Sequence, residues 1–86
     1  MKRVSIEIPL SVYDSFIEEC EESSSEFEIL KNGLIFRRRK GNDFERFAKV
    51  DCTLEDANKL LLLATKICPE VVVAIARGIT TSLKSD

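Results

Sequence analysis

From Arg3 to Ile8 the chain alternates without a break. Val4, Ile6 and Ile8 fall on one side and Arg3, Ser5 and Glu7 on the other, the pattern of a half-buried strand. Pro9 ends it, because proline has no N–H to give to a ladder. Tyr13, Phe16, Ile17 and Cys20 then recur at i, i+3, i+4 and i+7, one apolar stripe along a helix. Ser11 reads as its N-cap, with Asp14 three residues on in a capping-box arrangement. Glu18, Glu19, Glu21 and Glu22 lie off the stripe and face water. That many carboxylates near a helix C-terminus oppose its dipole, and the serines at 23–25 mark a polar break.

At Glu26 the period changes to two. Phe27 and Ile29 alternate with Glu26 and Glu28, which predicts a strand. Asn32-Gly33 then stands between apolar runs, the strongest short-range hairpin signal, and residues 34–40 read as the returning strand. Gly41-Asn42 offers a second turn. Phe44, Ala48 and Val50 suit a third strand, with Phe47 out of phase; Phe44, Phe47 and Ala48 also suit a short helix, and of the two the strand is favoured for 43–50. Thr53, with Asp56 three residues on, restarts a helix whose stripe is Ala57, Leu60, Leu61, Ala64 and Ile67. Cys68-Pro69 stops it, and proline suits the first position of another helix. Val72, Ile75, Ala76, Ile79 and Leu83 form its stripe, although three consecutive valines also suit a strand, so 71–79 stays open between the two. Residues 80–86 read as a frayed tail. The expected fold is α+β in a single domain, residues 1–86. It has an N-terminal strand and amphipathic helix, an antiparallel β-meander of two or three strands, and two C-terminal helices packed on one face.

Composition changes this picture little, but the order of charges changes it considerably. Eighty-six residues, 44% apolar and 33% charged, make one domain with a modest core. The net charge of −2 conceals a bipolar chain. Residues 1–28 hold two basic and eight acidic residues, whereas residues 29–50 hold seven basic and two acidic. The three cysteines, Cys20, Cys52 and Cys68, are an odd number without a CxxC pair. They read as small apolar residues in a reducing compartment. The longest apolar runs, 60–64 and 71–76, fall far short of a membrane span. A cytoplasmic protein with no membrane contact is expected.

The chain has no histidine, hence none of the commonest general base or metal ligand. No glycine-rich phosphate loop and no calcium loop occurs. Neither catalysis, a metal nor a cofactor is expected. Two charged segments and one apolar one remain. The acidic face of Glu18, Glu19, Glu21 and Glu22 suits a basic protein partner. Leu62, Leu63, Val71, Val73 and Ile75 offer more apolar surface than a small chain covers by itself, which predicts a homo-oligomer interface. Arg37, Arg38, Arg39 and Lys40 with Arg46 make a basic hairpin, and on a strand Arg37 and Arg39 point one way and Arg38 and Lys40 the other. The leading expectation is a self-associating protein-interaction module; the alternative is a nucleic-acid-binding regulator using the basic hairpin.

Residues 4–9 followed by Val12-Tyr13 and a helix resemble the opening of a ribbon–helix–helix repressor. The helix–three strands–helix order of residues 11–67 resembles the double-stranded-RNA-binding fold. Asn32-Gly33 falls inside the second helix that the first needs. Thr53-Leu54-Glu55-Asp56 stands where the second carries its basic motif. Neither resemblance transfers a functional residue to this chain.

Overall fold

Val4, Ile6 and Ile8 are buried on one side of β1 (Arg3–Pro9), as the alternation requires. A computed structural model describes residues 2–84. In chain order it runs β1, α1 (Leu10–Glu19), α2 (Ser25–Lys31), β2 (Leu34–Lys40), β3 (Asp43–Thr53) and α3 (Leu54–Ile67), then a 3-10 turn (Pro69–Val71) and α4 (Val72–Lys84). The fold is α+β. One antiparallel sheet has the order β1-β3-β2, so the long β3 is central and β1 and β2 are the edges. Ile6 stands opposite Val50 and Ile8 opposite Ala48. These residues, with Phe16, Leu30, Leu60 and Ile75, form one apolar cluster against the helices.

Four expectations need correction. Ser11 is not a cap: α1 begins at Leu10 with Pro9 as N-cap and no side-chain capping bond. Residues 26–30 are helix, not strand. Ser24 accepts a hydrogen bond from the N–H of Phe27 at 3.1 Å and so caps α2, and Leu30 is fully buried. Four residues of period two are too few to outweigh that cap and anchor. Asn32-Gly33 therefore ends α2 rather than turning a hairpin. The Leu30 carbonyl that the helix end would orphan accepts from the N–H of Gly33 at 3.0 Å and from the Tyr13 hydroxyl. Lastly, 72–84 is helix, so the end of the chain is not frayed as far as Lys84. Ser82 is buried and its hydroxyl donates to the Arg3 carbonyl at 2.7 Å; residues 85–86 lie outside the described residues.

Four other expectations are met. Gly41 has φ 63, and no other described residue has positive φ. That excludes a I′ turn at Gly41-Asn42 and fits a II′ turn, whose first central residue alone needs positive φ. Residues 43–53 are one strand, and Thr53 caps α3 by accepting from the N–H of Asp56 at 3.1 Å. Pro69 occupies the start of a helical turn.

The two edges of the sheet are treated differently. Along β1, α4 closes over the strand. A methyl group built at Gly78 would lie 2.7 Å from the Ser5 carbonyl oxygen, so only glycine permits this approach, and Ser82 satisfies the next carbonyl outward, that of Arg3. Along β2 none of the described helices closes in this way. All seven of its residues are exposed.

Candidate functional site

The alternation of antiparallel pairing identifies which β2 groups point outward. On β1 the carbonyls of Arg3 and Ser5 face α4, so Val4, Ile6 and Ile8 bond to β3 through Cys52, Val50 and Ala48. The alternate residues of β3 must then bond to β2. Their partners are Leu34, Phe36, Arg38 and Lys40. The backbone N–H and C=O groups of Ile35, Arg37 and Arg39 are left on the free edge.

The side chains divide by the same parity. On the sheet face opposite the core, Phe36 stacks on Phe47 with ring centroids 5.9 Å apart, and the Arg38 guanidinium lies 4.4 Å from the Phe47 centroid. Phe47 is therefore buried, which accounts for its being out of phase with the core. Arg38 also reaches Glu7 at 2.8 Å and Glu45 at 2.9 Å, and Lys40 reaches Glu45 at 3.3 Å. The hydrogen bonds from Arg38 and then Lys40 hold the Glu45 carboxyl below its ordinary range, and the bonds to Glu7 first and then to Glu45 raise Arg38.

A small pH effect follows. Because the Glu45 carboxyl is lowered in the folded chain, its stabilising contribution is present above the ordinary carboxylate range. It is lost as pH falls through the lowered value. Glu45→Gln is expected to flatten the acid limb of the thermal midpoint measured from about pH 7 down to about pH 2. An acid limb identical to that of the parent would show that the cluster adds nothing to stability.

The opposite face is not neutralised. Arg37 stands directly across from Arg46, and Arg39 across from Phe44. Arg37 lies over the Phe44 ring at 4.6 Å, and Arg39 donates to the Gly41 carbonyl at 3.3 Å. Among the described residues no carboxylate pairs with Arg37, Arg39 or Arg46, and like charges directly opposite are unfavourable. On this face Ile35 is 48% and Phe44 56% exposed, and on the other Leu34 is 62% and Phe36 44% exposed.

The structure thus joins Arg37, Arg39 and Arg46 on one face and separates Arg38 and Lys40 from them. The exposed apolar residues of the hairpin are ones that sequence reasoning missed. The available signal was three successive apolar residues on a strand, which cannot all face one core. No protein family, curated protein or solved structure matches this chain.

The other candidate residues fare unevenly. Val71 and Ile75 are fully buried in the core and cannot form an interface; Leu62 and Val73 are exposed, and Leu63 is half-buried. The acidic residues do not share one helix face. Glu18 and Glu19 end α1, whereas Glu21 and Glu22 lie in the connection to α2; all four are exposed. They do not pair with the basic hairpin, whose carboxylate partners are Glu7 and Glu45.

The thiols of Cys20, Cys52 and Cys68 are buried and unbridged, and burial pushes each above its ordinary value. That leaves them as weakly nucleophilic core residues. A cleft of about 540 Å³ between α4 and the sheet is lined by Glu7, Arg38 and Glu45 from the sheet and by Glu70 and Arg77 from the helical side. Its charges are of both signs, and those on the sheet neutralise one another. Among the described residues no group of histidine, cysteine, aspartate or glutamate is placed to hold a metal, and no helix is long and apolar enough to cross a membrane.

Proposed function

We propose that this protein is a non-enzymatic, self-associating protein-interaction module whose working surface is the free edge of β2. The observation that carries this reading is the contrast between the two sheet edges. α4 covers β1, with a glycine fitted against its backbone, while β2 exposes all seven side chains and three unpaired backbone positions. Edges of this kind are usually blunted. Here the cationic half, Arg37 to Lys40, is guarded by charge, whereas the apolar half, Leu34 to Phe36, is not.

A second copy offers the same edge, so two β2 strands can pair and extend the sheet. Their apolar halves favour contact, and the four cations on each strand oppose it. Salt screens the cations and leaves the apolar contact intact. Static light scattering up to high micromolar concentration is expected to show a mass that rises towards a dimer as ionic strength increases. Phe36→Lys should hold the protein monomeric. A monomer at every concentration and salt tested would refute self-association. A dimer lost in Leu62→Lys or Val73→Lys but kept in Phe36→Lys would move the interface to the exposed surfaces of α3 and α4.

A further inference from the structure

We infer that the preferred occupant of the β2 edge is an extended acidic segment of another protein, added as a fourth antiparallel strand. The inference rests on the reading of β2 as the working edge and goes further by naming the partner's chemistry. The outward N–H and C=O groups of Ile35, Arg37 and Arg39 alternate along the strand, and a peptide backbone satisfies donors and acceptors in that alternation. A phosphate chain has no donors to return. Charge specifies the rest. Among the described residues Arg37, Arg39 and Arg46 have no carboxylate partner, and Arg37 faces Arg46, so an acidic strand relieves a repulsion already built into the hairpin. A second copy of β2 instead adds four more cations.

Register then defines the partner. On an antiparallel strand, the residues opposite Arg39 and Arg37 lie on the face of those arginines, two positions apart. The residues opposite Phe36, Ile35 and Leu34 meet apolar neighbours. Read from its N-terminus, the partner is acidic, any residue, acidic, then three apolar residues. Arg38 stands opposite the unrestricted position, because Glu7 and Glu45 already neutralise it. Antiparallel addition continues the pattern of the existing sheet, and antiparallel pairing is the more stable per residue.

The test is fluorescence anisotropy with a labelled peptide containing Thr-Glu-Thr-Glu-Val-Val-Val, beside versions with lysine or threonine in place of both glutamates. The acidic peptide is expected to bind best, and its affinity should fall with added salt, opposite to the salt response of self-association. Arg37→Glu with Arg39→Glu should weaken it about tenfold or more, since two cross-strand attractions become repulsions. The lysine peptide should recover affinity for that variant. Amide hydrogen exchange adds a readout that mere charge attraction would not move. The N–H groups of Ile35, Arg37 and Arg39 should exchange fast in the free protein and become protected in the complex.

Equal binding of acidic and neutral peptides would overturn the acidic preference and leave the edge reading standing. Binding without protection of those three amides would overturn strand addition. No peptide binding by a protein that also stays monomeric would remove both readings. Arginine-dependent binding of labelled duplex DNA or single-stranded RNA, with none of the acidic peptide, would overturn the inference in favour of phosphates.

Discussion

Gly78→Ala is expected to destabilise the protein, against the usual benefit of alanine in a helix. In an exposed helix interior the exchange gains about 1 kcal/mol. Here the added methyl group would sit 2.7 Å from the Ser5 carbonyl oxygen and 3.1 Å from Cγ1 of Ile6. The first of these is backbone in a sheet edge and has no rotamer by which to yield. α4 must therefore move off β1, and forcing a methyl group into such a contact costs about 1–3 kcal/mol. The same movement stretches the bond from Ser82 to the Arg3 carbonyl, putting roughly another 1 kcal/mol at risk. The net loss should be about 1–3 kcal/mol, which lowers the thermal midpoint by several degrees in a domain of this size. Ala76→Gly, on the exposed side of the same helix, isolates propensity alone and should cost about 1 kcal/mol. A Gly78→Ala variant as stable as the parent would mean that α4 does not sit on the β1 edge as described.

Phe16→Ala should cost more. Phe16 is fully buried and heads the largest of the enclosed side chains. Removing a buried phenyl ring costs about 3–5 kcal/mol, from lost transfer energy and from the cavity left behind. Whole domains are stable by only roughly 5–15 kcal/mol, and a chain of 86 residues belongs near the bottom of that range. The variant is expected to be largely unfolded near body temperature, with a urea midpoint well below the parent's. Phe44→Ala is the matched control, because Phe44 is exposed at the hairpin. It should leave the midpoint within a few tenths of a molar of the parent's, as surface substitutions generally do. Equal losses at the two positions would contradict the placement of the core.

These two expectations bear on function through the edges. Gly78 is how the molecule closes one edge of its sheet, and among the described residues no corresponding glycine or helix closes the other. Closure of β1 leaves β2 as the only edge of the described sheet at which a strand can add. A destabilised Gly78 variant should therefore expose a second edge and aggregate more readily than a Phe44 variant of unchanged stability.

The sequence by itself determined the parts of this protein that rest on neighbours along the chain. The alternation of Val4, Ile6 and Ile8 is a strand whatever it pairs with. The stripe of Ala57, Leu60 and Ala64 behind the Thr53 cap is a helix, and the glycine at 41 turns a two-residue hairpin. Each depends on local backbone geometry and on a single buried face. What only the tertiary structure decided depends on contacts between distant residues. Segment 26–30 carries a strand-like alternation but folds as a helix, because Ser24 caps it and because Tyr13, 17 residues away from Leu30, bonds to its C-terminal carbonyl. Val71 and Ile75 read as surplus apolar surface until the 3-10 turn and α4 are seen to carry them into the core. Nothing local reveals that β1 pairs with β3 rather than with β2, and that choice decides which edge α4 covers. Arg37, Arg38 and Arg39 are adjacent in sequence. Only the sheet register sends Arg38 to Glu7 and Glu45 and leaves Arg37 and Arg39 facing a like charge and open solvent.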